Sequence, residues 1–263
     1  DSALTMTANT QPALMAFSMA VVRVLEKDFG IKLKEKAAFV AGHSLGEYSA
    51  ACSAGVFSLS DTAKLLRIRG DAMQNAVPLG VGGMAAVLGL SYKDVGALVE
   101  ACSNDKDVCV AANDNSDGQV VLSGSMTAID RAVEIAAEFG ARKCVKLAVS
   151  APFHSPFMRP AADAMARAFM DVKAHDAEIP LVANVLAEPI TDHKEIIKHL
   201  IEQVTGTVRW RETMAYLQEQ GVTDLVELGA GKVLSGIAKR SHKEMNAFSV
   251  GSVEDIEELA KNL

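Results

Sequence analysis

The feature that most narrows the fold is a five-residue turn at positions 42–46. Ala37 to Ala41 (AAFVA) is a short apolar run that reads as a buried strand. It ends in Gly42-His43-Ser44-Leu45-Gly46, and a helix of small residues follows from Leu45 to about Ser53. A strand that turns this sharply into a helix holds its central residue in a strained backbone conformation, with the side chain clear of the sheet. Glycines two positions to either side are expected because strand and helix approach too closely for side chains. The helix N-terminus adds a positive dipole end, and the Leu45 amide points at charge developing on a substrate oxygen. Ser44 is therefore a candidate nucleophile and Leu45 N–H a candidate oxyanion donor; the alternative is a glycine-rich turn with an idle serine.

A serine hydroxyl needs a base, and the chain has six histidines. His175, His193, His199 and His242 stand in polar, helix-like or loop contexts, where solvent exposure is expected. His43 adjoins the nucleophile, but neighbouring side chains on such a turn diverge. His154 lies in Ser150-Ala151-Pro152-Phe153-His154-Ser155-Pro156, a proline-rich turn after a strand. Loops at strand ends are where catalytic groups collect in α/β folds. On chemistry alone His154 is either the base or a loop histidine.

Elsewhere helix and strand patterns alternate, as in an α/β protein with a mainly parallel sheet. A helix is expected from Thr10, as cap, to Glu26, with Pro12 in its first turn and Leu14, Phe17, Val21, Val22 and Leu25 at helical spacing. Another starts at Ser60-Asp61 and runs past Arg69 to about Asn75. Strands are expected at Gly82–Leu90, Gln119–Ser123 and Lys143–Val149, with helices near Tyr92–Cys102 and Thr127–Phe139. A strand–helix–strand–strand–helix–strand order in this length predicts an inserted ferredoxin-like small domain at 77–146. Residues 1–76 and 147–263 then form a large α/β-hydrolase-like catalytic domain with a parallel sheet. Its later elements are helix Met158–Val172, strand Leu181–Asn184, helices Lys194–Val204 and Arg211–Glu219, strand Asp224–Leu228 and a short charged terminal helix.

Composition excludes several classes. With 263 residues, 49% of them hydrophobic, the chain can bury a sizeable core. No apolar run approaches the roughly 20 residues of a membrane-crossing helix, and the opening segment is polar, so a cytoplasmic protein is expected. Cys52, Cys102, Cys109 and Cys144 show no CxxC pairing, which favours free thiols over disulfides or a metal site. A net charge of −7 argues against nucleic acid. An acidic protein partner would need a local basic cluster, such as Arg142 with Lys143 or Lys232 with Lys239 and Arg240; singly, each reads as a solvated helix face.

Several segments together carry a family resemblance over nearly the whole chain. They are Thr10-Gln11-Pro12-Ala13-Leu14, the GHSLGEYSA string from Gly42 to Ala50, Arg67-Ile68-Arg69-Gly70, Gly118-Gln119-Val120-Val121, Ser150 to Met158, and Glu227 to Leu234. The set resembles bacterial malonyl-CoA:acyl carrier protein transacylases. The resemblance implies ping-pong transfer of malonyl from coenzyme A to the phosphopantetheine thiol of acyl carrier protein, for fatty acid biosynthesis. Ser44 would be the nucleophile and His154 the base that later protonates the leaving thiolate. A main-chain carbonyl at Gln203 would orient the histidine in place of a carboxylate. Arg69 would bind the malonyl carboxylate bidentately, as a guanidinium fork can. It is expected to be buried beside Leu66, Ile68 and Met73, while Arg67 has the duller surface role. Gln11, Met73 and Met84 match substrate-lining positions, although a methionine there is more often core packing. Phe153 would crowd an α-methyl branch and disfavour methylmalonyl. No metal or cofactor is implied beyond coenzyme A as substrate carrier, and a monomer is expected.

One departure stands out. Family members open with a strand leading into Gly-Gln-Gly, whose Gln contributes to the oxyanion hole, and this sequence lacks it. The expectation is an incomplete chain with a slot beside the 38–41 strand. Loss of the second donor would cost roughly a hundredfold to a thousandfold in rate. The rival readings are a serine thioesterase or esterase with a true triad, a catalytically impaired carrier-protein-binding fragment, and a domain cut from a larger synthase.

Overall fold

A computed structural model describes residues 2–149 and 151–263 of the chain. Ser150, the first residue of the His154 motif, lies outside the described residues, as does Asp1.

After a 3-10 turn at Ser2–Thr5, helix α1 spans Thr7–Phe29. It begins three residues before the expected cap, and Pro12 sits in its body. Proline supplies no N–H to the carbonyl four residues back, which here is Ala8. Arg67 Nη1 donates to that carbonyl instead, at 3.3 Å. Thr10 is no cap: its hydroxyl donates back to the carbonyls of Leu4 and Met6. Next come α2 (Leu33–Lys36), strand β1 (Val40–Ala41), α3 (Leu45–Ser53) and α4 (Leu59–Gln74). Ser58 caps α4 by accepting from the Asp61 amide at 3.0 Å. Met15, Met19, Tyr48, Ala51, Leu65, Leu66 and Met73 from α1, α3 and α4 form the main core. Gly70 lets α1 and α4 cross closely, since a Cβ there would lie 2.7 Å from Ala8 Cα.

The middle of the chain builds a four-stranded antiparallel sheet. Its elements are β2 (Gly82–Leu88), α5 (Tyr92–Cys102), β3 (Cys109–Ser116), β4 (Gln119–Ser125), α6 (Met126–Ile135) and β5 (Lys143–Lys146), in strand order β3-β4-β2-β5. Alternation along β2 serves two cores. Ala85 and Val87 meet Leu98 of α5 and Ile129 of α6, while Met84 and Ala86 face Ala112, Val121 and Phe153. Strand β3 escaped the sequence reading because its run CVAANDNS ends in polar residues that are nonetheless buried. Strand β5 stops at Lys146, short of the expected Val149.

The remaining elements are α7 (Arg159–Phe169), β6 (Leu181–Val182), β7 (Pro189–Ile190), α8 (His193–Glu202), α9 (Trp210–Glu219), β8 (Asp224–Leu228), α10 (Val233–Ser241), β9 (Asn246–Val250) and α11 (Val253–Asn262). The single, mainly parallel sheet that was expected is present in two pieces. Strand β1 pairs parallel with β6, which pairs antiparallel with β7, and β8 pairs parallel with β9 in a sheet of its own. Among the described residues β6 is the one strand hydrogen-bonded to β1, which is two residues long where five were expected. Strand β7, two residues long, is too short to show a periodicity in sequence, and strand β9 and helix α10 lie outside the expected elements. The fold is thus a mixed α/β one, and none of its described helices is long and apolar enough to cross a membrane.

Candidate active site

Strand β1 delivers the chain to Ser44, whose backbone has φ 54° and ψ −112° at the head of α3. This left-handed, strained geometry is what the abrupt turn demands. Only one of the two flanking glycines is needed for space. A Cβ on Gly42 would lie 2.0 Å from the Gly46 carbonyl, whereas one on Gly46 would meet nothing within 4 Å. Asn184, just after β6, clamps the turn at both ends. Its Oδ1 accepts from the Ser44 amide at 2.8 Å, and its Nδ2 donates to the Gly42 carbonyl at 2.7 Å. The Leu45 amide opens the helix with no acceptor among the described residues.

His154 approaches from the loop before α7 and also has a positive φ, 55°. Its Nδ1 faces the carbonyls of Gln203 at 2.8 Å and Gly206 at 3.2 Å. Two acceptors there place the imidazole proton on Nδ1, leaving Nε2 to accept from Ser44 Oγ at 2.8 Å. Burial, reinforced by the Arg69 cation and opposed by these carbonyls, pushes the pKa down to about 3. The ring is therefore neutral near pH 7, in its proton-accepting form.

Arg69, from α4, is 1% exposed and makes no ion pair among the described residues. Its Nη1 donates to Gln11 Oε1 at 2.7 Å, and its Nη2 to Gln203 Oε1 at 2.7 Å and Ser44 Oγ at 3.1 Å. The Tyr48 ring lies 5.4 Å from its guanidinium carbon. Its Nε is buried without an acceptor. A buried cation held only by neutral acceptors, with a donor to spare, is set up for an anion.

These polar groups sit in the pattern of a known family. Residues 1–260 match the family described as the acyl transferase domain. The chain belongs to that acyl transferase family. The acyl transferase is 41% identical over 252 residues to the malonyl CoA–acyl carrier protein transacylase of Haemophilus influenzae, covering 95% of this chain and 79% of that one. It is 39% identical over 254 residues to the protein of the same name from Bacillus subtilis, covering 97% and 78%. The crystal structure of acyl-carrier-protein S-malonyltransferase from Bartonella henselae superposes with a TM-score of 0.96 at 52% identity, over 99% of this chain and 82% of that one.

The acyl transferase brings Ser44, Leu45, His154, Arg69, Gln203 and Gln11 into one cluster. Met73 touches it through Gln11, whose Nε2 points at the Met73 sulfur 3.7 Å away. Met84 packs one step out, with Phe153, on the β2 face. Ile68 does not accompany Arg69 into the core: it is 40% exposed, one helical position round from it. Arg67 lies on the surface, paired with Asp71 at 3.0 Å. His43 points away from Ser44, toward Asn115 Oδ1 at 2.8 Å and the Trp210 ring. His199, expected in solvent, is buried against Glu202, 2.7 Å from its carboxylate.

Two members of the site were not singled out from sequence. Asn184 was read only as a strand end. Glu47 was read only as a letter of the GHSLGEYSA string, yet it is 1% exposed and accepts from Gln203 Nε2 at 2.6 Å and the Asn184 amide at 3.2 Å. Burial pushes its pKa up to about 7. The available signal was a charged residue among Leu, Gly, Tyr, Ser and Ala on a helix of small residues.

Proposed function

We propose that this acyl transferase moves malonyl from malonyl-CoA to the phosphopantetheine thiol of an acyl carrier protein through a malonyl-Ser44 intermediate, supplying fatty acid biosynthesis. One observation carries the substrate choice: a fully buried arginine without a carboxylate partner touches the nucleophilic oxygen itself, 3.1 Å away. A second carboxylate on the substrate completes that site, and a simple acyl ester does not. The main-chain carbonyls on His154, where a hydrolase triad would have a carboxylate, weigh against a serine esterase.

In the first half-reaction the Ser44 proton passes to His154 Nε2 as Oγ attacks the thioester carbonyl. The new oxyanion faces the Leu45 N–H, the donor that this chain places at the helix N-terminus. As the tetrahedral intermediate collapses, the C–S bond breaks and His154 returns the proton to the leaving thiolate. The carrier thiol then gives its proton to His154 and attacks the malonyl ester. Ser44 leaves and recovers its proton.

Arg69 also tunes the base. Burial lowers the basicity of His154 most and the Arg69 cation adds to that, and a malonyl carboxylate seated on the guanidinium offsets the cation's field. The substrate thereby strengthens the base that deprotonates its attacker, Ser44. Phe153, next to the base, crowds an α-methyl branch and disfavours methylmalonyl. Gln11 fixes one arm of the guanidinium, and Met73 and Met84 back the pocket. In this reading residues 77–146 are an inserted ferredoxin-like domain, supported by the β3-β4-β2-β5 order, and 1–76 with 147–263 are the α/β-hydrolase-like catalytic domain.

The test is intact-protein mass spectrometry after brief exposure to malonyl-CoA, with Ser44→Ala beside it. A malonyl-sized adduct that needs Ser44 and disappears on adding carrier protein is expected. An adduct lost equally fast to water, with no effect of carrier protein, would make the chain a thioesterase.

A further inference from the structure

The Gln203 side chain is bonded on three sides, and its orientation decides how Arg69 is held. Its Nε2 donates to Glu47 Oε2 at 2.6 Å and to the Ser44 carbonyl at 2.9 Å, while its Oε1 accepts from Arg69 Nη2 at 2.7 Å. Turned over, the amide would set N–H2 against the guanidinium N–H and oxygen against two acceptors. When ionised, Glu47 only accepts, and so it reinforces the orientation that the Ser44 carbonyl and the Arg69 N–H also favour. Its other oxygen is occupied by the Asn184 amide at 3.2 Å, and Asn184 in turn clamps the Ser44 turn.

We propose that Glu47 is a positioning residue for malonyl selection: by accepting the Gln203 amide N–H, it turns the Gln203 oxygen toward Arg69. The guanidinium is then fixed between two neutral amide oxygens, those of Gln11 and Gln203, and keeps its full charge for the substrate carboxylate. A carboxylate directly on Arg69 would fix it equally well but would occupy the fork. Setting the carboxylate behind an intervening amide keeps the counter-charge near while Nε–H and one Nη1 hydrogen stay uncommitted. The groups facing Glu47 are Arg69 from α4, Tyr48 beside it on α3, and Gln203 and Asn184 from the later loops.

The inference rests on the malonyl-transfer reading. It is tested with Glu47→Gln by comparing single-turnover loading of Ser44 from malonyl-CoA and acetyl-CoA across substrate concentrations. The backbone N–H of Asn184 claims the new amide's oxygen, so its N–H2 faces Gln203. That opposition removes the acceptor behind Gln203 and loosens the hold of its oxygen on Arg69. An oxygen turned toward the Ser44 carbonyl affects both thioesters alike, so the malonyl-to-acetyl ratio isolates the effect on Arg69. The KM for malonyl-CoA is expected to rise about tenfold or more relative to that for acetyl-CoA, as for a lost hydrogen bond to a charged group. Glu47→Asp, which keeps both acceptor oxygens on a shorter stem, should retain more of the discrimination and serves if Glu47→Gln does not fold. Equal loss with both thioesters in a folded variant would overturn the proposal and make Glu47 a structural residue. Wild-type protein that takes up neither thioester would instead remove the transfer reading, and this inference with it.

Discussion

Around the turn at Ser44, Glu47, Arg69, His154, Asn184 and Gln203 are each at most 4% exposed; between the antiparallel sheet and its two helices, Ala85, Val87, Leu98, Leu122 and Ile129 are buried as deeply. Burial is the same and chemistry is opposite. Each large apolar side chain of that second core contributes roughly 1.5–3 kcal/mol by leaving water. Each polar group near Ser44 is desolvated at a cost that only its hydrogen bonds offset. Those bonds do not fully close, since Arg69 Nε stays without an acceptor. One interior is built for stability, and the other keeps unspent binding capacity for a ligand. The two meet at β3, where buried Asp114 pairs with Arg211 of α9 at 2.9 Å and Asn115 bonds His43.

The sharpest way to break this contrast is Arg69→Ala. Malonyl loading should fall by about 2–5 kcal/mol of transition-state stabilisation, as for truncating one partner of a buried charge pair, while acetyl loading is spared or raised. Single-turnover rates with the two thioesters decide it, and equal losses would make Arg69 structural. In the sheet, Leu122→Ala should do the reverse. Stability to urea should drop by about 2–5 kcal/mol, and the Ser44 loading rate of the folded protein should stay within about threefold. A smaller effect lies in the pH dependence of stability. His154 is held below its ordinary 6.5, at about 3, so the unfolded chain binds more protons as pH falls between those values. Its stabilisation is present above pH 6.5 and is lost as pH falls toward 3. Glu47 runs the other way: raised from 4.5 to about 7, its contribution is lost as pH rises through that window. The two slopes oppose each other between pH 4.5 and 6.5. Urea midpoints of His154→Gln should therefore fall with rising pH there, where those of wild type stay flatter. Parallel curves would mean that the ring is protonated in the folded protein.

Local pattern carried a good deal of this. An apolar run, a turn flanked by glycines and a helix of small residues mark Ser44 because the turn's backbone geometry is written in adjacent residues. Strand β8 at Asp224–Leu228 and helix α5 at Tyr92–Cys102 coincide with their expected spans, since one face of each repeats within a few residues. Strand β3 was missed because Asn113, Asp114 and Asn115 are buried by partners far along the chain, such as Val208, Arg211 and His43. Helix α1 was begun too late because what lets it run through Pro12 is Arg67, 59 residues away from the Ala8 carbonyl it caps.

The amino-acid sequence by itself determined the reactive turn, the alternation of helix and strand, and the absence of a basic stripe, because each is a property of neighbouring residues. Only the tertiary structure decided that Arg69 is buried with Nε uncommitted, that Gln203 faces it with oxygen, and that Glu47 sits behind them. Those facts are about which donors meet which acceptors across 134 and 156 positions of chain: Arg69 of α4 with Gln203 just past α8, and Gln203 with Glu47 of α3. Hydrogen-bond polarity across such distances has no local signature. It exists only once burial has removed water as the alternative partner.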